Sequence, residues 1–217
     1  MNTKKLISKV RIIRKKLKKG TPTIGSWVQF SSVGSLTVML EKHSFEWLTL
    51  DMEHGEIDFK EAISLIKVIK GQGIPPLIRL RESNSENIKY SLECGALGLI
   101  YPNMCTYEEV KEKIDYSMYH KKRGVGFSIS NSFGAHLNDN LKFKPLNIVM
   151  IENTEIIENF EKYLLNFYKY LNKNKIKYGI HIVKPDKKVL KQTIKKGSLF
   201  LPFGIDSTIL EAGMSKM

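Results

Sequence analysis

Apolar residues along this chain fall into two recurring patterns. Short continuous runs read as buried strands: Ile24–Phe30, Trp47–Met52, Pro76–Leu80, Leu97–Tyr101, Asn147–Ile151, Tyr178–Val183 and Leu199–Phe203. Between them the apolar positions recur at helical spacing. Phe59, Ala62, Ile63, Ile66 and Ile69 form one stripe, which predicts a helix over Phe59–Lys70. The same reading gives helices at Val33–Lys42, Ser85–Glu93 (stopped by Gly95), Tyr107–Tyr119, Glu155–Asn172 and Lys187–Lys195, with a Gly- and Ser-rich loop over Gly124–Gly134. At the N-terminus Leu6, Val10, Ile13 and Leu17 repeat at helical spacing with basic residues between them. They predict an amphipathic helix within residues 1–20, its apolar stripe packed on the rest of the domain.

Strands and helices in strict alternation argue for a parallel sheet covered by helices, and the seven strands read here belong to a single domain over residues 1–217. Two architectures satisfy that pattern, a (β/α) barrel and a doubly wound sheet. Polar residues stand just past many strand ends: Glu53 and His54, Arg79, Asn103, Glu152 and Asp206. In both folds that carboxyl end is where ligands bind, and contributions from so many strands favour the barrel. No G-x-G-x-x-G opens a helix after the first strand, which counts against a dinucleotide fold.

Composition narrows the class. Hydrophobic residues at 42% and aromatics at 10% belong to a globular chain. No apolar run reaches the ~20 residues of a membrane span. The charged stretch Lys4–Lys19 is unlike a secretory signal, and Cys94 and Cys105 have no metal-finger or disulfide spacing; both features point to a cytoplasmic protein with reduced thiols. The net charge of +13 raises nucleic acid as a partner. No zinc finger, RNP motif or basic zipper accompanies it, so the expectation is a solvated basic surface that also attracts small anions.

Three strand ends carry candidate chemistry. In Asp51-Met52-Glu53-His54-Gly55, alternation along the strand puts Asp51 and Glu53 on one face, and His54 lies beyond them. An imidazole exchanges protons near neutral pH; an ordinary charged turn is the plain alternative. Arg79 ends Pro76-Leu77-Ile78-Arg79, where a buried guanidinium needs an anionic partner. It can bind a carboxylate or stabilise an enolate, or form a structural ion pair with Glu53. Glu152 ends Ile148-Val149-Met150-Ile151-Glu152, a natural place for a ligand to a hard divalent cation and equally for a helix N-terminal acid.

These segments together resemble one known family. Gly25-Ser26-Trp27-Val28-Gln29, then Phe45 to Gly55 around Asp51-Met52-Glu53-His54, Pro76-Leu77-Ile78-Arg79, Gly95 to Pro102, Arg123-Gly124-Val125-Gly126-Phe127-Ser128, Met150-Ile151-Glu152 and Phe203-Gly204-Ile205-Asp206-Ser207 follow the order of HpcH/HpaI aldolases. The resemblance implies a TIM-type (β/α) barrel and a carbon–carbon lyase that makes or breaks a 2-keto acid by way of a pyruvate enolate, with an aldehyde as the other partner. It implies a divalent metal (Mg, Mn or Co) held by Glu152. Arg79 would stabilise the enolate, and His54 would move the proton through a metal-bound water. Asp51, Glu53, Gln29 and Pro102 would bind substrate or support the site. It also implies a homo-oligomer.

One element of the pattern is missing. The family's second metal ligand, an aspartate in a Gly-Pro-x-Asp-Leu-Ser segment, has no counterpart after Glu152. An eight-unit barrel takes ~250 residues, so one unit is about 30, and the chain's 217 residues fall short by about that much. The expected fold is therefore an incomplete barrel without its sixth strand–helix unit. Asp51, Glu53 and, less well placed, His181 are the nearest replacement ligands. A second reading follows, a catalytically inactive barrel that binds a keto acid or a partner chain.

Overall fold

The computed structural model describes residues 3–42, 45–104, 106–150, 152 and 177–215. Helix α1 (Thr3–Lys19) is followed by β1 (Thr23–Val28), α2 (Val33–Lys42), β2 (Leu48–Asp51), α3 (Phe59–Gly71), β3 (Pro76–Arg79), α4 (Ser85–Glu93), β4 (Gly98–Tyr101) and α5 (Tyr107–Ser117). A 3₁₀ turn (Ile129–Asn131), α6 (Leu137–Leu141), β5 (Leu146–Val149), α7 (Lys187–Lys195), β6 (Phe200–Ile205) and α8 (Asp206–Met214) complete the described elements.

The six strands form one parallel sheet in the order β5-β4-β3-β2-β1-β6. Beyond β6, Gly179 and Ile182 make single parallel bridges to Phe200 and Phe203. The sheet thus curls in the order of a (β/α) barrel, with the 178–183 segment one position outside β6 and β5 at the other end. The chain is an incomplete TIM-type barrel, and among the described residues no strand stands between β5 and that segment.

Two features differ from the sequence reading. Tyr178–Val183 is not a strand but a segment with two isolated bridges; only its β6 side is paired among the described residues. Gly179 lies so close to Phe200 that a Cβ would come within 1.9 Å of the Phe200 carbonyl oxygen. The Gly124–Gly134 loop contains the 3₁₀ turn and runs on into α6. The predicted helix Glu155–Asn172 lies outside the described residues.

The core has two compartments because successive strand residues face opposite ways. Val28, Leu48, Leu50, Ile78 and Leu99 face outward, against Leu36, Leu65, Ile66, Ile88 and Leu92 of the covering helices. Trp27, Trp47, Leu77, Ile100, Leu146 and Phe200 fill the interior, and Leu6, Val10 and Ile13 of α1 pack against them. Trp47 stacks on Phe200 with ring centroids 4.1 Å apart. Gly25 makes room for that stack, since a Cβ there would lie 2.2 Å from the indole. With the amino end filled by tryptophan and α1, the interior positions left for polar chemistry are at the carboxyl ends of β1, β2 and β3.

Candidate active site at the carboxyl ends of the strands

The parallel register sets Asp51 of β2 directly beside Arg79 of β3. Arg79 donates from Nε to Asp51 Oδ1 at 2.8 Å and from Nη2 to Oδ2 at 2.6 Å, a two-pronged pair that a guanidinium forms and an ammonium does not. Gln29, just past β1, donates from Nε2 to Oδ2 at 2.6 Å, and the backbone N–H groups of Glu53 and His54 each reach Oδ1 at 3.2 Å. Asp51 is fully buried and Arg79 nearly so, at 0% and 5% exposure. Burial alone would raise the Asp51 carboxyl. The hydrogen bonds from Arg79 and Gln29 and the guanidinium charge outweigh it and hold Asp51 below the usual carboxylate range.

The third guanidinium nitrogen faces two further carboxylates. Arg79 Nη1 lies 2.9 Å from Glu53 Oε2 and 3.8 Å from Glu152 Oε1. Asn103 ties the same two together, its backbone N–H to Glu152 Oε2 at 3.1 Å and its side-chain Nδ2 to Glu53 Oε1 at 3.4 Å. Burial raises the Glu53 carboxyl, and the neighbouring Glu152 and Asp51 charges push the same way against Arg79 and His54. Asn103 adopts φ 53°, a left-handed conformation that asparagine tolerates better than most residues and that aims both its donors at the pair. It follows Pro102, which is buried at the end of β4 and whose carbonyl accepts from Ser83 Oγ at 3.5 Å. His54 is open to solvent, its side chain 65% exposed, with Nε2 3.9 Å from Glu53 Oε2. The turn that presents it folds tightly over β1: a Cβ on Gly55 would come within 2.2 Å of the Asp51 carbonyl oxygen and 2.8 Å of that of Gln29.

A second group shares the interior with Arg79. The Arg79 guanidinium rests 4.4 Å from the centre of the Trp27 ring, and the His181 imidazole stacks on the same indole at 4.8 Å and 22°. His181 Nε2 is buried and has no hydrogen-bond partner among the described residues. Burial brings this imidazole down to about 4; a hydrogen bond to the Gly204 backbone opposes that and the Arg79 charge adds to it. An imidazole lowered from about 6.5 to about 4 keeps its contribution to stability above pH 6.5 and loses it as the pH falls between the two values. Unfolding followed by urea titration should therefore show a loss of about 3 kcal/mol across that window, and the loss should shrink in His181→Phe.

Asp206, at the start of α8, anchors the far end of β1. Its carboxylate accepts the backbone N–H groups of Gln29 at 3.1 Å, Phe30 at 3.1 Å and Ser31 at 2.9 Å. The sequence shows an acid after a strand but not its partners about 175 positions earlier in the chain. Asp206→Ala removes charge-assisted bonds from these three amides and from that of Ser207 and should cost about 2–3 kcal/mol by urea unfolding, with the Gln29 side chain displaced from Asp51.

All the residues expected at the site except Pro102, which lies beneath Asn103, converge on the Arg79 guanidinium or its immediate partners. Asn103 and Trp27 join them. The donor set fits a hard divalent cation in one way and fails in another. Three carboxylates against one guanidinium leave two net negative charges when all are ionised, and one or two carboxylates completed by water and substrate oxygens suffice for such an ion. Glu152 has that role open to it, with Glu53 beside it. Asp51 does not, because both its oxygens are occupied by Arg79, Gln29 and backbone amides, which removes it as a replacement ligand. No three His, Cys, Asp or Glu side chains form a metal cage among the described residues.

No family model matches the chain. It is 24% identical to the 2-keto-3-deoxy-L-rhamnonate aldolase of Escherichia coli (strain K12), a match covering 70% of this chain and 58% of that protein. The chain thus spans less than two thirds of the length of the curated relatives it matches. Among solved structures it resembles an HpcH/HpaI aldolase/citrate lyase family protein from Burkholderia cenocepacia J2315, with a TM-score of 0.83, 16% identity and coverage of 94% of this chain and 96% of the other. An HpcH/HpaI aldolase from Desulfitobacterium hafniense DCB-2 follows at a TM-score of 0.76, 18% identity and 94% and 93% coverage. The citrate synthase SbnG aligns at 0.72, with 15% identity and 94% coverage of both chains.

Proposed function

We propose that the chain is a member of the HpcH/HpaI aldolase/citrate lyase family and, on that premise, a carbon–carbon lyase that cleaves or forms a 2-keto acid by way of a pyruvate enolate. One observation carries the reading: a buried guanidinium, locked by Asp51, offers its last nitrogen to a pair of carboxylates directly beside an exposed imidazole. An anionic enolate and a proton carrier need that combination.

Glu152, with Glu53, would hold a divalent cation such as Mg²⁺, Mn²⁺ or Co²⁺. When bound, the cation supplies Lewis acidity toward the oxygens of the keto acid. The residues do the rest. Arg79 stabilises the negative charge that develops as the enolate forms, and Asp51 and Gln29 keep its plane fixed. In the cleavage direction His54 takes the proton of the hydroxyl on the carbon that becomes the aldehyde. The carbon–carbon bond breaks, its electron pair forms the enolate, and the proton then returns to the enolate carbon. Asn103 keeps Glu53 and Glu152 at one edge of the guanidinium.

Oxalate, a planar dianion shaped like the enolate, tests the site without knowledge of the aldehyde. Calorimetry should detect oxalate binding only with a divalent cation present, and Glu152→Gln should abolish it. Binding that ignores both the cation and Glu152 would contradict the reading. The missing Gly-Pro-x-Asp-Leu-Ser segment supports a second reading, a barrel that binds a keto acid without turnover. That reading predicts oxalate binding with no proton exchange at carbon.

A further inference from the structure

Trp27 connects Arg79 to a residue that the proposed chemistry does not use. The guanidinium and the His181 imidazole both lie within 5 Å of the indole centre, and His181 comes from the 178–183 segment outside β6. The charged groups that act on this imidazole are Arg79 from β3 and Asp51 from β2; β6 presents the Gly204 backbone, and β1 presents the uncharged Trp27. Asp51 has both oxygens committed to Arg79 and Gln29. A proton on His181 would put a second cation on the indole that already carries Arg79, with no free carboxylate oxygen of Asp51 to meet it. The cation–π contact that seats Arg79 would weaken accordingly.

We propose that His181 is a positioning residue for Arg79: the uncharged imidazole fixes Trp27, Trp27 seats the guanidinium, and protonation of His181 loosens both. The stack explains why a histidine with a buried, unpartnered nitrogen sits inside the barrel. It also gives the site an acid limit set by a residue that touches no substrate. The inference rests on the enolate-site reading for what Arg79 is used for, but not for the coupling itself.

The test is ¹H–¹⁵N NMR of the whole chain, titrated from about pH 7.5 down to about pH 3, so that the range passes below the lowered His181 imidazole. It follows the Arg79 Nε–H and Trp27 Nε1–H resonances in wild type, His181→Phe and His181→Ala. In wild type both resonances should move together with one midpoint as His181 is protonated. His181→Phe keeps a stacking ring that takes no proton, so the shared step should vanish while oxalate affinity at neutral pH is unchanged. His181→Ala should displace both resonances already at neutral pH and weaken oxalate roughly tenfold, as misplacement of a binding group does. An Arg79 resonance that stays still while His181 titrates would overturn the proposal, as would a shared step that survives in His181→Phe. Co-titration in a protein that never binds oxalate would uphold the coupling and count against the enolate-site reading instead.

Discussion

Asp51→Ala should destabilise the fold by about 3–5 kcal/mol, the cost of leaving one partner of a buried ion pair uncompensated. The size follows from what remains. Arg79, 5% exposed, would lose both prongs of its pair and keep only Glu53 at 2.9 Å and the more distant Glu152. Gln29 Nε2 and the Glu53 and His54 amides would lose their acceptor as well. Urea unfolding of Asp51→Ala and Asp51→Asn separates charge from shape: Asn keeps part of the acceptor geometry and should cost less. Replacing both partners, as in Asp51→Leu with Arg79→Met, should recover much of the stability, since an apolar pair of similar volume carries no desolvation cost. It should recover none of the chemistry. A double variant as unstable as Asp51→Ala would mean the pair is needed for the fold itself and not kept for function.

The second large effect is kinetic and leaves the fold alone. His54 projects into solvent with a 65% exposed side chain, and its side-chain contact is Glu53 at 3.9 Å, so His54→Ala should change stability by no more than about 0.5 kcal/mol. If His54 carries the proton, the same change should slow turnover by about 10²–10⁴, the usual contribution of a positioned acid–base group. Oxalate affinity should stay near wild type, because oxalate has no proton to transfer. Loss of rate together with loss of oxalate binding would assign His54 to substrate binding instead.

Much of this arrangement is readable from the chain, for identifiable reasons. Pro76–Arg79 and its neighbours read as continuous apolar runs with a charged residue at the end. The sequence offers Glu53 as an ion-pair partner of Arg79, which it is at 2.9 Å, but the two-pronged partner is Asp51, set beside Arg79 by the parallel register. The reason for the glycine of Asp51-Met52-Glu53-His54-Gly55 is visible only in the fold, where the turn leaves no space for a Cβ. Contacts made across the interior are not legible. Asn103 joins Glu53 to Glu152 only because its backbone turns left-handed, and nothing in Pro102-Asn103-Met104 announces it. His181 meets Trp27 through the curl of the whole sheet. Tyr178–Val183 has the composition of a strand, but strand pairing depends on neighbours, and only β6 supplies one among the described residues. The family resemblance leaves Asp51 and Glu53, ahead of His181, as the nearest replacements for the missing metal ligand. The hydrogen-bond inventory separates them, because Asp51 has no oxygen left to offer.

Proton exchange at the methyl group of pyruvate, followed by NMR in D₂O, reads out enolate formation itself, because that step precedes any choice of aldehyde. The comparison needs protein without metal, protein with Mg²⁺, Mn²⁺ or Co²⁺, and the His54→Ala and Glu152→Gln variants under the same conditions. An enolate site built on His54, Arg79 and Glu152 should give exchange that requires a divalent cation and disappears in both variants. Folded protein that binds oxalate yet exchanges no methyl proton with any of the three metals would contradict it, and would leave a barrel that holds keto acids without transforming them.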